Sequence, residues 1–252
     1  MRSRAATFLT ASGVVALAFA TLLLPALGGG GFSLWAQISA YVLTLACVGL
    51  FFHGLLSLWE DLPTPAMLAL GAVAAVLGVL SAILSSPEVL VEDAGALTLL
   101  ALLFANVFRL VAAAALAFAL ARYVTSPGVA LLIAGVATIS DVFSVFAGPT
   151  RALVREDSPA LDFLLLIFPA FGQPAGFALG ISDFIFLALF AATASLLGLR
   201  YPLTLAAGLA ATLLAMVCGL ILRQPLPALP FIALSFVAVN FRQLLASLRK
   251  AR

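Results

Sequence analysis

Apolar residues dominate this chain in long runs, and most polar and charged positions fall in the gaps between them. Eight runs are long enough, at roughly 18 residues or more, to read as membrane-crossing helices. They cover about 6–28, 34–59, 65–85, 96–121, 127–147, 178–199, 202–222 and 228–247. The gaps carry stop signals: four glycines from Gly28 to Gly31, the pair Glu60 and Asp61, the stretch "SSPEVLVEDAG" and the loop "GPTRALVREDSPALD". Between that loop and the sixth run lies "FLLLIFPAF", residues 163–171. It is too short for a helical crossing, and Pro169 and Pro174 break it. The first run is longer than the roughly 7–15-residue core of a signal peptide and lacks a small-x-small cleavage pattern, so it reads as a retained span.

Composition agrees with the pattern. The chain is 65% hydrophobic and 9% charged, with a mean hydropathy of +1.26. A transmembrane barrel would alternate apolar and polar residues, and these runs do not. The fold class is therefore an all-α polytopic membrane protein of about eight spans. It reads as a single membrane domain over 1–252, divided into N-terminal helices (1–122) and a second group (123–252). A net charge of +2 and the lack of a basic run give no footing for nucleic acid. Cys47 and Cys218 both lie in apolar runs and read as packing residues. His53 stands alone, which leaves no His/Cys cluster for a metal, and no cofactor is called for. Arginine in place of lysine almost throughout, with Ala and Leu in abundance, has a prokaryotic look.

The exceptions inside the runs carry the chemistry. Asn106, Arg109, Asp141 and Asp183 are polar groups at membrane depth, where they are costly and face protein or a wet cavity. Arg109 sits near mid-span and suits an ion pair or a clamp on backbone carbonyls. His53 suits a hydrogen-bonded packing role better than a ligand role.

Asp141 lies near the end of the fifth run and Asp183 near the start of the sixth. At 1.5 Å rise per residue, both fall roughly 8–9 Å inside the same membrane face. The seventh run returns the chain to that face at "RQPLPALPFIA", residues 223–233, where Pro225, Pro227 and Pro230 favour an extended approach to the last helix. Two close carboxylates share a proton: one acts as general base on a water while the other polarises a carbonyl. Other roles fit the same residues. Either aspartate could cap a helix or pair with Arg109, and both together could line a proton or cation path.

Three stretches add a family resemblance. "ARYVTSPGVALLIAGVATISDVFSVFAGPTRALVRE" resembles the presenilin segment with the first catalytic aspartate, with Asp141 and Val145 in the Asp-x-x-x-Val pattern and "GPTR" after the helix. "FALGISDFIF" resembles the second motif, Gly-x-Gly-Asp followed by Phe-Ile-Phe. "PLPALPFIALSF" carries Pro-Ala-Leu as Pro227, Ala228 and Leu229. The three occur in the family's order and cover about 120–247; the first four runs match only as generic apolar helices.

The resemblance implies an intramembrane aspartyl protease of the presenilin and signal peptide peptidase group, with a bundle of eight helices, or nine if one crossing is hidden. Asp141 and Asp183 would be the catalytic pair. Gly180, Ile181, Ser182, Pro227, Ala228 and Leu229 would shape the active site and hold substrate. Substrates would be transmembrane helices of single-span proteins or signal-peptide remnants, unwound locally and paired as a strand beside the second catalytic helix. "FLLLIFPAF" would suit an edge strand for that pairing, or else an apolar loop on the membrane face. The chain departs from the family at Ser140, where tyrosine is usual, and at Ser182, where glycine is. With eight spans, one N-terminal span fewer than the family's nine, family topology would put the N-terminus outside, whereas the positive-inside rule puts both termini in the cytoplasm. The alternatives are a proton- or ion-coupled transporter using the same aspartates, and a catalytically silent presenilin homologue. The location in every case is the cell membrane.

Overall fold

The computed structural model describes residues 2–27, 34–59, 62–84, 95–148, 163–224 and 226–250. These form helices α1 (Arg2–Leu23), α2 (Leu34–Trp59), α3 (Thr64–Ile83), α4 (Ala96–Ala121) and α5 (Pro127–Phe146). A hairpin follows, β1 (Leu165–Ala170) and β2 (Gln173–Gly180), and then α6 (Ile181–Leu196), α7 (Tyr201–Leu222) and α8 (Leu229–Lys250). Six of the helices, α2, α3, α4, α5, α7 and α8, are long and apolar enough to cross a membrane. The chain is thus a helical, membrane-embedded protein, with one small antiparallel sheet among the described residues. The loop carrying Arg151 and Arg155 lies outside the described residues, as does Pro225.

Two expected spans come out differently. The first is α1, displaced towards the N-terminus and ending at Leu23, with an apolar part of Thr7–Leu23. The sixth does not begin at 178. Residues 178–180 are the end of β2, and α6 has only 16 residues, about 24 Å against a hydrocarbon core of about 30 Å. Its far end is fixed by a Schellman motif. Gly198 takes φ 64, Leu199 N–H donates to Ala194 O (2.8 Å) and Gly198 N–H donates to Ser195 O (3.2 Å). Asp183 is consequently the third residue of its helix rather than a full turn further in.

The chain divides into two compact units, residues 1–116 with 159–182, and residues 117–158 with 183–252. In the first, α1 packs along α2 at small residues. A Cβ added at Gly13 would lie 2.8 Å from Phe51 N, and one at Gly54 would run into Thr10, so the two backbones approach as closely as glycine permits. Gly54→Val should force them apart and cost about 1–3 kcal/mol, read as a lowered unfolding midpoint in detergent; an unchanged midpoint would contradict the close packing.

The hairpin belongs to this unit. Its turn uses Gly172 at φ 72, whose N–H donates to Leu24 O at 3.0 Å. Leu166 pairs with Leu179 and Phe168 with Phe177, and the register shifts at Pro169, which has no N–H to give a ladder. Ala170 packs with Ala20, Leu24 and Ala40, and Ile167 with Leu99 and Leu102. Phe177 stacks on Phe168 (5.4 Å between ring centres) and meets Tyr41 edge-on (4.5 Å).

In the second unit α8 is the shared partner, packing on α5 and α7. It also reaches α6, where Phe190 stacks on Phe236 at 4.8 Å. Its buried residues Ile232, Phe236, Asn240 and Leu244 recur every fourth position and so lie along one side of the helix. Asn240, 1% exposed, ties α8 to the start of α7. Its Oδ1 accepts from Arg200 N–H (3.0 Å), and its Nδ2 donates to Thr204 Oγ1 (2.8 Å) and Phe236 O (2.9 Å). Asn240→Leu strands the helix-start N–H of Arg200, for which we expect a loss of about 1–3 kcal/mol in unfolding experiments; a smaller loss would mean that water replaces the amide.

Candidate active site

α5 starts at the N-cap Ser126, whose Oγ accepts from Val129 N–H (3.3 Å), with Pro127 at the first helical position. It ends at Phe146, so Asp141 lies in its last turns, half-buried. A carboxylate near a helix C-terminus opposes the helix dipole. Asp141 escapes that penalty by reaching another helix's N-terminus: its Oδ2 accepts from the backbone N–H of Leu229, 3.0 Å away.

Leu229 is the first residue of α8, and Ala228 O accepts that helix's opening bond from Ile232 N–H (3.1 Å). The opening N–H groups of a helix have no partner within it. Asp141 supplies one for Leu229, and Pro230 has none to satisfy. Of the approach expected to be extended, residues 226–228 are non-helical, whereas Pro230 is already the second residue of α8. Arg223 closes α7 in the left-handed region (φ 53), and the helix resumes only at Leu229. Pro227, Ala228 and Leu229 are all buried. The structure therefore brings together the first aspartate and the Pro-Ala-Leu stretch, 88 residues apart in sequence.

Asp183 lies in the first turn of α6, where the exposed N–H groups favour negative charge. It is half-buried and belongs to the same unit as Asp141. Gly180 closes β2, Ile181 opens α6, and the Ser182 side chain is exposed. Gly180, Ile181 and Ser182 fall in the first unit, and Asp183 begins the last stretch of the second. Ser140, the other departure from the family pattern, is also exposed. Cys47 and Cys218 are free thiols. Among the described residues, His, Cys, Asp and Glu side chains form no group of three or more placed to hold a metal ion.

Within "FLLLIFPAF", Leu165–Ala170 form a strand, and two carbonyls of its outer edge are already taken. β1 pairs with β2 on one side. On the other, Asn106 Nδ2 donates to Ile167 O (2.5 Å) and Arg109 Nη1 donates to Leu165 O (2.6 Å). Of the two structural roles open to Arg109, the carbonyl clamp is therefore present. β2 is a feature the sequence reading missed; the signal was the short "FG" connection between two apolar stretches. Compared with known proteins, the chain matches no family model and no curated sequence.

Proposed function

We propose that this chain is an intramembrane aspartyl endopeptidase of the presenilin type, in which Asp141 and Asp183 activate a water against a peptide bond of a transmembrane substrate. The observation that carries the reading is the hydrogen bond from Leu229 N–H to Asp141 Oδ2. It couples the first aspartate to the Pro-Ala-Leu stretch, two of the three sequence motifs on which the resemblance rests. Asp141 lies in the last turns of α5 and Asp183 in the first turn of α6; antiparallel crossings by these two helices would put both carboxylates near one membrane face.

In this reading the apolar part of α1, Thr7–Leu23, and α6 are the two remaining crossings, both shorter than the other six, making eight. The bilayer is that of a prokaryotic cell, and the substrates are single-span proteins or signal-peptide remnants. An unwound substrate segment adds to the hairpin as a further strand. Gly180 ends β2 and Asp183 follows three residues later in the chain. The catalytic reaction needs no metal or organic cofactor, because the nucleophile is water held by the carboxyl pair.

Asp141 could serve only as the α8 cap, which is what a silent homologue would retain. Purified protein in liposomes, given a fluorogenic transmembrane peptide, distinguishes the two. Cleavage by the wild type that is lost in both Asp141→Asn and Asp183→Asn supports the protease. Cleavage that survives either substitution defeats it.

A further inference from the structure

We propose that Asn106 and Arg109 are positioning residues that close the outer edge of β1, so that an incoming strand can add only at β2. The proposal rests on the reading above, in which substrate binds as an added strand, and it assigns the rule that selects the edge.

The geometry is specific. Asn106 and Arg109 are three apart on α4 and so share a face. Leu165 and Ile167 are two apart on β1, so their carbonyls point to the same edge. The side chains take those two carbonyls one each. Main-chain groups alternate along a strand, so those of Leu166 and Phe168 are turned to β2, where they pair with Leu179 and Phe177. The same alternation turns the N–H and C=O of Ala178 away from β1, to the opposite edge of the sheet.

The two edges differ in burial as well as in pairing. Leu166, Ile167, Phe168 and Ala170 of β1 are all buried, whereas Ala178 of β2 is exposed and Gly180 half-buried. An open strand edge is a template for any extended chain, and proteins block those they do not use. Blocking this one takes two polar side chains, 2% and 4% exposed, in the interior of an apolar helix where polar groups are costly. Asn106 Oδ1 has no donor among the described residues, so its amide is committed to a single strand carbonyl. Removing the clamp would leave the carbonyls of Leu165 and Ile167 unpaired in an apolar setting, and a strand N–H is the natural replacement.

A role confined to holding the hairpin in place would affect folding but not the choice of edge. The test is therefore disulfide trapping of a transmembrane peptide carrying one cysteine. It uses the full chain with Cys47 and Cys218 replaced by alanine, and a reporter cysteine at Ala178→Cys or Leu165→Cys. In the otherwise wild-type background, trapping should occur at position 178 and not at 165. With Asn106→Leu and Arg109→Met, trapping at 165 should rise roughly tenfold, the ratio equivalent to one hydrogen bond of about 1.4 kcal/mol. Arg109→Lys, which keeps a donor, should leave the 178 preference in place. If the double variant does not fold, Asn106→Leu alone is the measurement, with the same direction expected.

An unchanged preference for 178 in a folded variant overturns the edge-closing role and leaves the strand-addition reading standing. Equal trapping at both positions before any substitution also overturns it. Trapping at neither position overturns it together with the strand-addition reading.

Discussion

Asp141→Asn should abolish cleavage of a transmembrane reporter while leaving the protein almost as stable as before. Asparagine keeps an oxygen where Asp141 Oδ2 accepts the Leu229 N–H at 3.0 Å, so the cap on α8 survives in neutral form. The change from a charge-assisted to a neutral bond costs about 1 kcal/mol or less. What asparagine cannot do is take up or release a proton, and general acid–base catalysis is worth about two to four orders of magnitude in rate. Asp141→Ala removes both properties. It should lose the same activity and a further roughly 1–2 kcal/mol of stability, the usual value of a helix N-cap. Asp183→Asn should match Asp141→Asn in activity, and the double variant should be no worse than either alone, because residues that act as a unit lose their effect together. The measurements are kcat/KM in liposomes and unfolding midpoints in detergent for the four variants. An Asp141→Asn protein that still cleaves, beside an unstable Asp141→Ala, would reduce Asp141 to a structural cap and end the protease reading.

The spans were legible where apolar runs meet sharp boundaries. α2 and α4 match the runs 34–59 and 96–121, because charged or glycine-bearing stretches flank them and nothing inside competes with helix. The hairpin was half legible. β1 is short, rich in Leu, Ile and Phe, and breaks at Pro169, all of which argue against a crossing helix. β2 was hidden because "QPAGFALG" runs without a polar break into α6, and hydropathy does not register a change of backbone conformation within one apolar stretch. Its strand state depends on tertiary contacts: the ladder with β1, the Tyr41 and Phe168 rings against Phe177 and the Leu24 carbonyl that holds the turn. Asn106 and Arg109 stood out as polar groups at membrane depth, yet their partners lie 61 and 56 residues away, and no local rule names them. For Asp141 the sequence suggested either a cap or a catalyst. The structure shows the cap, through Oδ2 alone; the catalytic role is the part that the substitutions above test.

Leu229→Pro approaches the same bond from the other side. Proline at the first position of a helix is well tolerated, since that N–H has no partner within the helix. Ala228, which would then precede a proline, is already outside the helix, so the backbone change is small. The single hydrogen bond deleted is the one to Asp141 Oδ2. A bond to a charged group is worth about 1.5–3 kcal/mol. If it holds the carboxylate in its working position, cleavage should fall by roughly 10- to 150-fold, mostly in kcat, since in the proposed reading substrate would bind at the hairpin and not through this contact. Leu229 is also buried, 4% exposed, so the substitution loses side-chain packing. Leu229→Ala is the control: it shortens the same side chain, keeps the N–H, and should lose stability of about 2–4 kcal/mol with a smaller fall in kcat. A proline variant that folds and cleaves as well as the alanine variant would show that Asp141 needs no fixed donor from the Pro-Ala-Leu stretch. A kcat deficit specific to proline would tie the orientation of the first carboxylate to the start of α8.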